Sequence, residues 1–175
     1  MKRKNPAEPE NRLLILADDL TGALDTGVQF AKNGIKTLVY VSPENIVERA
    51  GNDAAVVVIN TNTRHVSAEA AGMIVKKTAA RFKNFSFFYK KTDSCLRGNI
   101  GAELEALMDT SGYGTLPFVP AYPKLKRITA EGRQYLNGVP LDKSSMANDP
   151  VNPVNESYIP AIIGKQSDLF VELIL

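Results

Sequence analysis

Residues with charged and reactive side chains concentrate in one stretch, 89–104, which reads YKKTDSCLRGNIGAEL. An apolar run from Phe85 to Tyr89 leads into it, and charges of both signs follow at once. Burying such charges costs free energy unless they pair with each other or with a ligand. The stretch therefore predicts one wall of a site for a small, polar, anionic molecule. Its candidate contact residues are Lys91, Asp93, Ser94 and Arg97.

A second group of polar residues follows an apolar run near the N-terminus. Two adjacent carboxylates, Asp18 and Asp19, occupy a turn between this run, 12–17, and a helical pattern. Their mutual repulsion has to be relieved by a hydrogen-bond donor such as a substrate hydroxyl, by a lysine or by a metal. We predict that they form a second wall of the site. For Asp19, the structural alternative is that it caps the helix that follows.

The elements that position these residues alternate between strand and helix patterns. Apolar runs predict five strands, at 12–17, 36–41, 54–59, 85–89 and 115–119. Helical patterns separate them at 23–32, 44–50, 67–82 and 98–108, with Ser67 as a candidate N-cap. This alternation is typical of βαβ units. The predicted fold is α/β: a Rossmann-like, three-layer parallel sheet with helices on both faces.

In an open α/β sheet, ligands bind outside the carboxyl ends of the strands. The predicted topology therefore brings the polar residues that follow the strands to one edge of the sheet. This set is Asp18, Asp19, Asn60, Arg64, Lys91, Asp93, Arg97 and Tyr122. Some members have structural alternatives. Arg64 could be a surface charge, and either Lys90 or Lys91 should be solvated because neighbours on a strand face opposite ways.

The C-terminal third and the termini have different patterns. Residues 128–141 predict a small β-hairpin around the turn Asn137-Gly138, and Asp149-Pro150 begins a rigid loop. The last apolar run, 169–175, indicates either a chain that continues past Leu175 or a C-terminal strand in the sheet. Residues 1–11 are predicted to be a disordered tail, and 12–175 to be one domain.

Composition excludes some classes of function. The 175 residues carry a formal net charge of +2 and no long run of Lys or Arg, which argues against a dedicated nucleic-acid binder. No apolar run is long enough to span a membrane. The single cysteine, Cys95, fits a reducing cytoplasm and is expected to be a small packed residue. The only histidine, His65, has no Cys or His cluster around it and is expected to be a loop residue.

Several motifs, taken in their order and spacing, resemble the N-terminal domain of the four-carbon acid sugar kinases. They are ADDLTGA at 17–23, NTNTR at 60–64, the stretch 89–104, PAYP at 120–123, and NGVPL at 137–141 followed by Asp149-Pro150. Members of this family phosphorylate threonate, erythronate or 3-oxo-tetronate with ATP. The sequence departs from the family pattern at Cys95, where Thr is usual, and at Lys126 and Ile128 beside Arg127.

The resemblance implies roles for the candidate residues. Asp93 would orient the attacking hydroxyl or take its proton, although phosphoryl transfer depends mainly on positioning and charge stabilisation. Cationic side chains would neutralise and orient the substrate carboxylate. These are Arg64, Lys91 and Arg97. Asp18 and Asp19 would accept hydrogen bonds from sugar hydroxyls, and the remaining predicted substrate contacts are Asn60 and Ser94.

The resemblance also implies that ATP and Mg²⁺ are bound mainly by a C-terminal domain. This sequence contains neither GxGxxG nor GxxxxGK[ST], so no cofactor or metal ligands are assigned to it, and the chain alone is expected to be inactive. The expected partner is a small four-carbon sugar acid, with a homodimer left open. Two alternatives are a stand-alone hydroxy-acid binder or degenerate kinase, and a haloacid-dehalogenase-like phosphatase. The phosphatase family separates its two aspartates by one residue, whereas Asp18 and Asp19 are adjacent.

Overall fold

The computed structural model describes residues 11–47 and 53–174, so almost all of the predicted tail lies outside the described residues. The chain divides into two compact units. The first, which we call the sheet unit, contains the described part of residues 1–62 together with 78–91. The second, the loop unit, contains 63–77 and the described part of 92–175. Helix α2 (Ala68–Ala80) runs from the loop unit into the sheet unit, and Ser67 Oγ caps it by accepting a hydrogen bond from Ala70 N.

Four parallel strands form the sheet unit: β1 (Leu13–Ala17), β2 (Thr37–Tyr40), β3 (Val56–Asn60) and β4 (Phe87–Lys91). Their order in the sheet is β2-β3-β1-β4. Successive residues of the two central strands are buried, the pattern expected of parallel strands that are covered on both faces. Helix α1 (Leu20–Ala31) packs on one face, where Ala23 and Phe30 contact the cluster that contains Ile15 and Val58.

The loop unit has a core of its own, in which Leu104, Leu141 and Ile163 pack together. Besides the first part of α2, it contains α3 (Ile100–Ser111), α4 (Ile159–Gly164) and a small antiparallel sheet. The sheet consists of β5 (Arg127–Ala130), β6 (Arg133–Leu136) and β7 (Val139–Pro140). The α/β class, with a parallel sheet and a separate small β region toward the C-terminus, is confirmed.

One predicted strand and the described part of one predicted helix are wrong, and the alternative of a C-terminal strand does not hold. Residues 115–119 form no strand, because Pro117 has no N–H for a ladder and Pro120 closes the segment. The described part of the predicted helix 44–50 contains only a 3-10 turn, Pro43–Asn45, and residues 48–50 lie outside the described residues. The apolar run at 169–174 is not a strand.

The predicted hairpin is confirmed, but it is only half of the small sheet. Asn137 and Gly138 both have positive φ, 53° and 79°, as a tight turn of primed type requires. Glu131 and Gly132, with φ of 49° and 72°, make a second turn of the same kind. The sequence analysis missed this turn because glutamate rarely adopts a left-handed backbone.

Candidate functional site

The carboxyl ends of three parallel strands meet at one edge of the sheet unit. In the strand register Ala17 is paired with Asn60 on one side and with Lys91 on the other. Asp18 follows Ala17 directly and is almost completely buried. The predicted common edge is therefore confirmed for Asp18, Asn60 and Lys91.

Asp19 caps helix α1. Its Oδ1 accepts a hydrogen bond of 2.8 Å from Gly22 N. A Cβ added to Gly22 would lie 2.7 Å from Asp19 Oδ1 and 3.4 Å from Lys91 Nζ. The absence of a side chain at Gly22 thus allows a carboxylate and an ammonium group to approach the first turn of α1. Asp19 therefore has the capping role that the sequence offered as the structural alternative. A contact between Asp19 and substrate hydroxyls stays a prediction.

The side chain of Asn60 positions the chain where it leaves β3. Its Nδ2 donates to Val41 O at 2.9 Å, and its Oδ1 accepts from Asn62 N at 3.0 Å. Thr61 extends the pairing with β1, because both its N and its Oγ1 donate to Ala17 O at 2.8 Å. The sequence analysis assigned Asn60 a substrate contact, which stays a prediction, and missed this structural role.

The lysine pair at the end of β4 differs from the expectation that one of them is solvated. Lys90 is buried and its Nζ donates to Lys91 O at 3.1 Å, while Lys91 is half-buried. The two side chains do face opposite ways, as strand geometry requires. Neither is fully exposed, although Tyr89 before them in the same strand is exposed.

In the loop unit, one arginine is held by two carboxylates. Arg97 Nε donates to Asp93 Oδ2 at 2.6 Å, and Arg97 Nη1 donates to Asp149 Oδ2 at 3.0 Å. The three side chains are largely buried, with 28%, 12% and 15% of their surface exposed for Arg97, Asp93 and Asp149. Asp93 and Arg97 were predicted site residues, whereas Asp149 was placed in a rigid loop and a family motif without a role in the site.

The electrostatics of this cluster keep all three groups charged. Burial raises the pKa of Asp93, but the hydrogen bonds and charge of Arg97, together with the charge of Arg64, lower that pKa by more. The pKa of Asp149 is lowered by hydrogen bonds from Asn152 N and Val151 N and then by Arg97. The pKa of Arg97 is raised, mainly by the hydrogen bond to Asp93. Both carboxylates are therefore ionised at neutral pH.

The small antiparallel sheet holds the loop that carries Asp93 and Arg97. Gln134 of β6 is completely buried, and its Nε2 donates to Ser94 O at 2.8 Å and to Pro120 O at 3.3 Å. Next to Ser94, the buried Cys95 accepts a hydrogen bond of 3.1 Å from Arg127 Nε. Cys95 is thus a packed residue, as expected. The sequence analysis missed Gln134, since no local pattern distinguishes it from a surface residue of a hairpin.

Tyr122 does not occupy the position that the sequence analysis gave it. That position depended on a fifth strand, which does not form. Tyr122 instead exchanges two backbone hydrogen bonds with Arg127, at 2.8 and 3.2 Å, and its side chain is exposed. It follows no strand of the parallel sheet.

A cavity of about 370 Å³ lies within the loop unit. One part of its rim is tied by Asn99, whose Nδ2 donates to Thr63 O and to Val66 O, both at 2.9 Å. Another tie is a 2.6 Å hydrogen bond between Asn152 Nδ2 and His65 Nδ1. Polar and cationic side chains dominate the lining, including Arg64, Arg97, Asn99, Asn152, Lys165 and Gln166.

The described residues contain no candidate metal cluster and no candidate membrane-spanning helix. Between residues 11 and 174, leaving out 48–52, no three His, Cys, Asp or Glu side chains are grouped so that they could hold a metal ion. Over the same residues, no helix is both long enough and apolar enough to cross a membrane.

Known proteins resemble this chain over most of its length. A family model described as the sugar-binding N-terminal domain matches residues 13–175. The D-threonate kinase of Salmonella typhimurium is 38% identical over 161 residues, which cover 90% of this chain and 37% of that protein. The D-erythronate kinase of Heliobacterium modesticaldum is 37% identical over 161 residues, which cover 90% of this chain and 36% of that protein.

A solved structure has the same fold. It is a crystal structure of a domain from Bordetella bronchiseptica, described as a domain-swapped dimer with bound citrate. Its TM-score is 0.80 at 34% sequence identity, and the match covers 87% of this chain and 39% of that chain. The matched part of this chain therefore spans less than two-fifths of the length of each of the three relatives.

Proposed function

This chain belongs to the family of sugar-binding N-terminal domains, and on that premise we propose that it binds the substrate of an ATP-dependent kinase for four-carbon sugar acids. The substrate class is threonate, erythronate or 3-oxo-tetronate. Relatives named D-threonate kinase and D-erythronate kinase support this class. The citrate in the Bordetella bronchiseptica structure supports a small acid as ligand. The proposal assigns the binding of ATP and Mg²⁺ to sequence outside these 175 residues.

The observation that carries the proposal is the cavity of the loop unit. Its volume, about 370 Å³, is in the range of small-molecule sites. Arg64 and Lys165 supply positive charge for a carboxylate, and the amide groups of Asn152 and Asn155 carry donors and acceptors for hydroxyl groups. A four-carbon sugar acid carries one carboxylate and several hydroxyls, so its polar groups match this lining.

The electrostatics define what Asp93 can do in this kinase. A carboxylate whose pKa is lowered by Arg97 is a weak proton acceptor, because its charged form is already stabilised. It still accepts a hydrogen bond from a hydroxyl group. Of the two roles that the resemblance implies, orienting the attacking hydroxyl therefore fits Asp93 better than removing its proton. Phosphoryl transfer is compatible with this, since it depends mainly on alignment and on charge stabilisation.

Calorimetric titration of the chain with D-threonate and D-erythronate tests the proposal. We expect binding of at least one acid and no binding of the corresponding neutral lactone. Arg64→Gln should weaken binding about tenfold, the loss of one charge-assisted hydrogen bond. Arg81→Gln is the matched control, because Arg81 donates to Pro43 O and Ile46 O and does not line the cavity. The proposal fails if neither acid binds, or if both variants weaken binding equally.

Activity assays separate the kinase from its alternatives. The chain alone should not release phosphate from ATP, and the sugar acid should be phosphorylated only when an ATP-binding partner domain of the family is supplied. Release of phosphate from phosphorylated sugar acids, lost in Asp18→Asn, would identify a phosphatase instead. Binding of the acid without phosphorylation in the presence of the partner domain would identify a binding module.

A further inference from the structure

We propose that Asp149 is a positioning residue of the cavity, which holds the guanidinium group of Arg97 with one carboxylate oxygen and the cavity rim with the other. The inference rests on the proposed function of this cavity. It adds a role to a residue for which the sequence predicts a rigid loop and a family motif but no contact.

The two oxygens of Asp149 have separate partners. Oδ2 accepts from Arg97 Nη1 at 3.0 Å. Oδ1 accepts from two backbone groups of the following turn, Val151 N at 3.0 Å and Asn152 N at 2.7 Å. Val151 and Asn152 both line the cavity. One carboxylate thus sets the position of a cationic side chain and of a rim segment at once.

The rim segment is itself tied to a second part of the lining. Asn152 Nδ2 lies 2.6 Å from Nδ1 of His65, the neighbour of Arg64. A displacement of the turn after Asp149 would therefore reach the loop that carries Arg64. The connection runs from Arg97 through Asp149 and Asn152 to His65, and every step is a hydrogen bond between described atoms.

The arrangement limits how Arg97 can meet a ligand. A guanidinium group has five N–H donors, and the side-on fork that grips a carboxylate uses Nε. In this structure Nε donates to Asp93 and one N–H of Nη1 donates to Asp149. The donors left for a ligand are one N–H of Nη1 and both of Nη2. Two anchors on different nitrogen atoms fix the plane of the guanidinium group, and Asp93 alone would leave it free to turn.

Removal of the Asp149 carboxylate should change the affinity for the sugar acid in opposite directions, according to whether Asp149 acts by its charge or by positioning Arg97. Its negative charge, with that of Asp93, offsets the positive charge of Arg97. By charge alone, removing the carboxylate would strengthen the binding of an anionic sugar acid. If Asp149 acts by positioning, the same change weakens binding, because Arg97 and the rim lose their common anchor.

The variant Asp149→Asn separates these outcomes. An asparagine keeps one oxygen that can accept from the rim backbone, but it cannot also serve Arg97 as an ionised acceptor. We expect the affinity for D-threonate or D-erythronate to fall about tenfold by calorimetry. We also expect the Arg97 Nε–H resonance to shift in NMR spectra while the Val151 and Asn152 amide resonances stay dispersed.

The matched control is Asp109→Asn. It removes the same charge from the same unit, where Asp109 forms an exposed pair with Lys76 at 3.8 Å. This variant should leave both the affinity and the Arg97 resonance unchanged. If Asp149→Asn does not fold, Asp149→Glu replaces it, since the longer side chain keeps the charge but displaces the oxygens. That variant should also bind the acid more weakly than the unaltered chain.

Unchanged or tighter binding by the folded Asp149 variant would overturn the inference. The proposed function fails separately if the unaltered chain binds neither acid. In that case the Arg97 resonance decides: a shift in Asp149→Asn that Asp109→Asn does not show supports the positioning role, and no shift refutes it.

Discussion

The two units position their polar residues by different means. In the sheet unit, Asp18, Asn60 and Lys91 reach a common edge because three parallel strands end in register. In the loop unit, Arg97 is held by side-chain contacts, among them one to Asp149, 52 residues away. Regular backbone hydrogen bonding does the first task, and individual polar side chains do the second. We therefore expect the positions of polar residues to depend on apolar packing in the sheet unit and on particular hydrogen bonds in the loop unit.

The two units are also expected to differ in how well they tolerate substitutions. An apolar core is stabilised by many small, non-directional contacts, so loss of one group lowers stability without moving a specific polar atom. A hydrogen bond is directional. When a buried polar group loses its partner, the folded state is destabilised by the whole desolvation free energy of that group. Gln134 is such a group in the loop unit, because its amide reaches Ser94 O and Pro120 O.

The largest effect is expected from a core truncation in the sheet unit. Leu16→Ala should lower the free energy of unfolding by about 2–5 kcal/mol, since Leu16 is only 1% exposed in a central strand. Leu24→Ala makes the same chemical change on α1, where Leu24 is 50% exposed, and should cost less than about 0.5 kcal/mol. Denaturant unfolding of both variants measures this. Equal losses would show that burial in the sheet does not control stability here.

The second-largest loss of stability is expected in the loop unit, where the backbones of α3 and α4 approach closely at Gly101. A Cβ at Gly101 would lie 2.3 Å from Ile163 O, so Gly101→Ala should destabilise the chain by about 1–3 kcal/mol through overpacking. Gly164→Ala is the control, since no atom lies within 4 Å of its added Cβ. It should be neutral or stabilising by up to about 1 kcal/mol. Thermal unfolding compares the two, and a stabilised Gly101→Ala would mean that α3 and α4 are not this close.

Removal of the buried amide tests the dependence of the loop unit on polar contacts. Gln134→Leu keeps the approximate side-chain size but leaves carbonyls without a donor, and should cost about 1–3 kcal/mol. Gln29→Leu is the control, because the side chain of Gln29 donates an exposed hydrogen bond to Asp25 O on α1. Unfolding in denaturant reports the cost, and sugar-acid titration reports the site. If Gln134→Leu has no effect on either, the small sheet does not position the 93–97 loop.

The smallest effect on the free energy of unfolding is expected from a fall in pH. Asp93 and Asp149 have lowered pKa values in the folded chain, so the stability that they contribute is fully present above their unfolded pKa, near 4. It is lost as pH falls through the lower, folded pKa values. Arg97→Gln removes the cause of part of both shifts and should flatten this acid dependence. Unfolding of both proteins between pH 7 and pH 2 measures it, and parallel curves would exclude Arg97 as the partner.

The sequence analysis succeeded where structure depends on local periodicity. The runs before Asp18, Asn60 and Lys91 predicted parallel strands, and those strands bring the three residues to one edge. It failed at 115–119 because apolar composition was given more weight than Pro117, which has no N–H for a sheet. The resemblance also implies substrate contacts, and these stay predictions. The residues concerned are Arg64, Asp93, Ser94 and Arg97.

By itself, the sequence determined the α/β class, the parallel arrangement of the strands, the hairpin turn at Asn137-Gly138 and the family. These follow from residue periodicity, turn chemistry and the spacing of motifs, all of which are local properties of a chain. Only the tertiary structure decided that Asp149 anchors Arg97 and that Gln134 holds the loop at Ser94. Such contacts join residues that are tens of positions apart, and no local pattern encodes which distant carboxylate or amide will meet a given group.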